Sequence, residues 1–149
     1  DAIKKAQFAM AQGTIKGVLW HQGETDTVQQ ANADSYDQKL AQLITDVRAD
    51  MKDDKLAFIV GNLAEFYGTG KDHRSPDRVK RIDHVRSVLR ALPDKVANTG
   101  FVESSACSSP DHHKVHFDRK SYIILGTRYA TVYADILDKA DKAIDKDKK

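Results

Sequence analysis

Gly17-Val18-Leu19-Trp20-His21-Gln22-Gly23-Glu24-Thr25-Asp26 passes within one short stretch from an apolar run to a cluster of hydrogen-bonding groups around a glycine. The residues from Ile15 to Trp20 read as a short strand buried in a sheet. His, Gln and Glu in close succession have no use inside such a strand, because buried polar groups without partners are costly. At its carboxyl end they make a site.

Working outward, Ile3, Ala6 and Met10 recur at helical spacing, and Gly13 is a natural stop. Downstream, the polar stretch from Thr25 to Ala33 reads as a loop. Tyr36, Leu40, Leu43, Ile44, Val47 and Met51 lie on one helical stripe, with Ser35 and Gln38 at capping-box spacing. Asp53-Asp54-Lys55 is a turn, and Leu56 to Val60 is a second buried strand ending at Gly61-Asn62. A loop from Glu65 to Ser75 follows. Ser75-Pro76 is a helix start, Val79, Ile82, Val85 and Leu89 line that helix, and Pro93 is expected just past its end. Val96 to Val102 is a third strand, and Glu103 to His116 a long polar loop. The last helix starts near Asp118, a good N-cap, with the stripe Tyr122, Leu125, Tyr129, Val132 and Ile136. Residues 1–138 read as the core and 139–149 as a charged, solvated tail.

The order α-β-α-β-α-β-α predicts an α/β fold: three parallel strands near 15–20, 56–61 and 96–102, with four helices on the two faces. Ligands of such sheets bind beyond the carboxyl ends of the strands. That rule gathers His21, Gln22 and Glu24 after strand one, Glu65, Tyr67, His73 and Arg74 after strand two, and Cys107, Asp111, His112, His113 and His116 after strand three.

With 149 residues the chain is one domain or part of one, without internal repeat or linker. The net charge of +2 comes from Lys and Arg mixed with Asp and Glu, so no stripe for nucleic acid is expected. No apolar run has the length of a membrane span. One cysteine, Cys107, permits no internal disulfide and reads as an inert small residue. The first residues carry no signal peptide and no initiator Met, so the chain reads as a fragment or a trimmed form.

Trp20-His21-Gln22-Gly23-Glu24-Thr25-Asp26 resembles a signature of the sialate O-acetylesterase-like and acetylxylan-esterase-like branch of the SGNH (GDSL-like) hydrolases. His113-Lys114-Val115-His116-Phe117-Asp118, followed by Leu125-Gly126 and Tyr129-Ala130, is similar to that superfamily's Asp-x-x-His-Phe block and closing helix. The resemblance covers about Gly13 to Ala134. It implies a flavodoxin-like, three-layer α/β/α sandwich and a carbohydrate esterase that removes O-acetyl groups from sialic acid, xylan or a related glycan. It also implies a periplasmic or secreted setting, an acetylated carbohydrate as partner, and no cofactor or metal.

The resemblance assigns His116 as the general base of a Ser-His-acid mechanism. Gln22 would donate its amide to the oxyanion. Gly23 would allow close approach of backbone and ligand. His21, Glu24 and Asp26 would supply the supporting hydrogen bonds. In the acid's usual place this chain has His113, which leaves Glu24 and Asp111 as equal candidates to orient His116. The family's Gly-Gln-Ser-Asn nucleophile motif is absent. The expectation is therefore an N-terminally truncated domain, inactive without the segment that carries the serine. Two other readings stand beside this one: a non-catalytic carbohydrate-binding or structural remnant, and a metal site built from Asp111, His112, His113 and His116.

Overall fold

The computed structural model describes residues 2–70, 75–110 and 114–147. Three parallel strands, β1 (Gly17–Trp20), β2 (Ala57–Gly61) and β3 (Thr99–Val102), form one sheet in that spatial order. Gly17 pairs with Ala57 and Trp20 with Val60; Phe58 pairs with Thr99 and Gly61 with Val102. The parallel α/β architecture expected from the element order is the one observed. Every residue of β2 is buried, which its unbroken apolar run requires of a central strand. β1 lies at an edge, where Leu19 is 62% exposed.

The helices are α1 (Ala2–Ala9), α2 (Gln30–Asp34), α3 (Tyr36–Met51), α4 (Pro76–Lys95) and α5 (Arg119–Asp147). α5 packs on β2 and β3, and α3 packs on α4. The α3 stripe is buried through Tyr36, Leu40, Ile44 and Met51, and the α4 stripe through Ile82, Val85, Val88, Leu89 and Leu92. Each fully buried side chain of this kind stabilises by roughly 1.5–3 kcal/mol. The expected cap of α5 forms: Asp118 Oδ1 accepts the Ser121 N–H at 2.7 Å. Its carboxyl is held down at about 2 by the Ser108 hydroxyl and the Ser121 N–H.

Several local expectations are corrected. The 25–33 stretch is a 3-10 turn at Asp26–Val28 followed by α2. It is ordered because Arg81 Nε donates to the Thr27 carbonyl at 2.7 Å and Ala33 is wholly buried. Ser35 makes no side-chain cap for α3; its hydroxyl donates to the Ala31 carbonyl at 2.7 Å and closes α2 instead. Pro93 lies inside α4, one turn from its end. There it forfeits one ladder bond, while buried Leu89 and Leu92 hold the last turn in place. The third strand starts at Thr99 because Asn98 adopts a left-handed conformation at φ 55° and keeps the preceding residues in a turn. No residue of α1 is buried, so its apolar stripe does not serve as a core face.

Candidate active site

Parallel strands carry their carboxyl ends to one edge. There, His21, Glu24 and His116 line a cavity of about 650 Å³, together with Leu19, Phe117 and Tyr129. The period of two along β1 explains the membership: Leu19 and His21 face α5, whereas Trp20 and Gln22 face α3. Gln22 accordingly lines a separate, smaller crevice with Trp20, Asp26, Tyr36 and Lys39. Its Nε2 donates to Asp26 Oδ2 at 2.6 Å, and its backbone carbonyl accepts the Tyr36 hydroxyl at 2.8 Å. Burial pushes Tyr36 up to about 12, so it stays a donor.

Gly23 has φ +146°, a conformation that L side chains rarely adopt. A Cβ there would meet Val85 Cγ1 at 3.0 Å and Leu63 Cδ2 at 3.2 Å. The close neighbours at this position are core side chains. The next residue is clamped through its backbone: the Glu24 carbonyl accepts from Thr27 Oγ1 at 2.6 Å and from the Tyr67 hydroxyl at 2.9 Å. Tyr67 is itself engaged by Arg78 Nη2 at 2.8 Å. A fixed backbone leaves the Glu24 side chain at the cavity wall.

The partly buried His21 ring places Nδ1 3.1 Å from the Tyr129 hydroxyl, which also donates to the Trp20 carbonyl at 3.2 Å. His21 Nε2 is buried and finds no hydrogen-bond partner among the described residues. Burial holds the imidazole below its ordinary value, against the opposing pull of the Glu24 charge and the Asn62 backbone. His116 is exposed at the cavity and precedes Phe117, which is buried. Burial also pushes the Cys107 thiol up.

Asp111, His112, His113, His73 and Arg74 lie outside the described residues. Glu24, one of the two carboxylates expected to orient His116, lines the same cavity as that histidine. Among the described residues there is no group of three His, Cys, Asp or Glu side chains arranged to hold a metal ion.

Sequence reasoning missed a polar network at the same edge. Asn62 Nδ2 donates to Glu103 Oε1 at 2.5 Å, Arg90 Nη2 to Glu103 Oε2 at 2.8 Å, and the Ser104 N–H to Oε1 at 3.0 Å. Burial pushes the Glu103 carboxyl up, but these donors outweigh it and hold it low. Arg128 Nη1 adds bonds to the Glu103 and Ser105 carbonyls at 2.7 and 2.8 Å. The available signal was polar residues directly after strands two and three. Their arginine partners, on α4 and α5, had no such signal.

A model of the family described as carbohydrate esterase, sialic acid-specific acetylesterase, matches residues 1–135. A crystal structure of a protein from Arabidopsis thaliana matches with a TM-score of 0.74 at 27% identity, covering 89% of this chain and 50% of that one. A carbohydrate acetylesterase from Xanthomonas citri matches in fold with a TM-score of 0.54 at 24% identity, covering 80% of this chain and 26% of that one. The chain thus spans about half the length of the first structure and about a quarter of the second.

Proposed function

Since the chain belongs to the sialic acid-specific acetylesterase family of carbohydrate esterases, we propose that it carries the base and oxyanion half of an enzyme that hydrolyses O-acetyl esters of sugars. The observation that supports this reading best is the cavity shared by His116, Glu24 and His21 at the carboxyl end of β1. The family's Gly-Gln-Ser-Asn motif is absent from these 149 residues, so this reading calls for a serine nucleophile supplied by a further segment of the protein.

In this reaction the serine oxygen attacks the acetyl carbonyl while His116 takes the hydroxyl proton. His116 then returns the proton to the departing sugar oxygen. Water, deprotonated by the same imidazole, releases acetate and restores the serine. Glu24 orients His116 and stabilises the imidazolium. Gln22 serves the oxyanion: Asp26 occupies one amide hydrogen and fixes the side chain, and the other hydrogen remains for the developing charge. The crevice of Gln22 and the cavity of His116 lie on the two sides of the end of β1, and this reading requires the reacting ester to reach both. The chemistry needs no cofactor.

The test is acetate release from O-acetylated sialic acid and acetylated xylan by the full-length protein, with and without a serine-directed organophosphonate. Release that the reagent abolishes is the expected result. No release from either substrate class, or release indifferent to the reagent, overturns the reading.

A further inference from the structure

Resting on the reading of His116 as base, we propose that Tyr129 is a positioning residue for His116, acting through His21 and Phe117. The Tyr129 hydroxyl, on α5, grips the end of β1 at two consecutive residues: the Trp20 carbonyl at 3.2 Å and His21 Nδ1 at 3.1 Å. Among the described residues, no other side chain hydrogen-bonds the His21 ring. Gly61 makes the room. A Cβ at that position would collide with both the Tyr129 hydroxyl and His21 Nδ1, so the central strand leaves a slot that this pair fills.

The fixed His21 ring then serves as a wall. Phe117 meets it edge to face, with ring centroids 5.2 Å apart and planes at 85°. Phe117 is buried and also packs on Phe66 at 5.4 Å and Tyr122 at 6.1 Å. Its backbone is continuous with that of His116. A close-packed interior transmits a rotation of His21 to Phe117, and thence to the imidazole at the cavity. Tyr129 itself stays protonated, because burial pushes the phenol well up.

Kinetics of the full-length protein on an O-acetylated sugar, with NMR of ring-13C-labelled histidines, tests this. Tyr129→Phe keeps the ring and deletes the hydroxyl. It is expected to lower kcat about tenfold, leave KM within about twofold, and move the His116 ring signals. The double variant Tyr129→Phe/His21→Phe removes both polar partners and keeps an aromatic wall. Its His116 ring signals are expected to return toward the parental positions, since the aromatic wall is kept and the imidazole deprived of its partner is gone. A Tyr129→Phe protein with parental kcat and unmoved His116 signals overturns the proposal, whatever its melting temperature. So does a double variant whose His116 signals lie no nearer the parental ones than those of the single variant.

Should Tyr129→Phe fail to fold, His21→Ala removes the wall directly. Moved His116 signals and a lowered kcat support the route, and unmoved signals refute it. If His116→Ala instead retains activity, the base reading fails. The His116 ring signals still decide whether Tyr129 sets that side chain's position.

Discussion

Asn62 donates its side-chain amide to Glu103 at 2.5 Å and so ties the carboxyl ends of β2 and β3 together. The tie fixes where the chain leaves the sheet on its way to His116. Asn62 is 2% exposed, so water cannot replace it. Asn62→Ala is expected to lower stability by about 1–3 kcal/mol. A urea unfolding midpoint equal to the parent's would contradict this.

Gly23→Ala forces a side chain into φ +146° and against Val85. The strain at such positions is about 1–3 kcal/mol. A clear drop in melting temperature is expected by calorimetry. An unchanged melt would mean that the loop relaxes at no cost, and that the glycine serves something other than the backbone.

The order of strands and helices was legible because their periods differ. Tyr36, Leu40 and Ile44 can share a buried face only in a helix, and Ala57 to Val60 can all be buried only in a central strand. The separation of His21 from Gln22 was legible in principle as well, since neighbours on a strand face opposite ways. What could not be read were elements held by distant partners. The ordered turn at Asp26–Val28 depends on Arg81, and the state of Glu103 on Asn62 and Arg90. The site histidine His21 was read only as a supporting residue, because nothing near it in sequence announces Tyr129. Pro93 was placed outside its helix by a rule of local propensity, which the buried stripe of α4 overrides.

The lowered pKa of His21 sets a pH dependence. Its folded value lies below the ordinary 6.5, so the unfolded chain binds the proton more readily. The stability due to this group is therefore fully present above about pH 6.5 and is lost as the pH falls through that value toward the folded pKa. Urea midpoints of the parent are expected to drop between pH 7.5 and 5, with a smaller drop in His21→Phe. Parallel curves for the two proteins would remove His21 as the cause.

Asp118 titrates lower still. Its carboxyl, held at about 2, caps α5, and its contribution is present above the ordinary carboxylate range and lost as the pH falls toward 2. Asp118→Asn keeps an acceptor without the charge. It is expected to lower the melting temperature at pH 7 and to flatten the acid limb between about pH 4 and 2. An acid limb identical to the parent's would contradict that.

If Gln22 serves the oxyanion as proposed, Gln22→Ala in the full-length protein is expected to lower kcat by about a hundred- to a thousand-fold with little change in KM, since an oxyanion bond strengthens only in the transition state. A rise in KM at constant kcat would instead make Gln22 a substrate-holding residue of its own crevice.

The central claim is that His116 moves the proton. Its most direct test is kcat for acetate release from an O-acetylated sugar by the full-length protein and its His116→Ala variant. A fall of about a hundred- to ten-thousand-fold is predicted, the usual contribution of a positioned general base. A variant that keeps near-parental kcat would contradict the account.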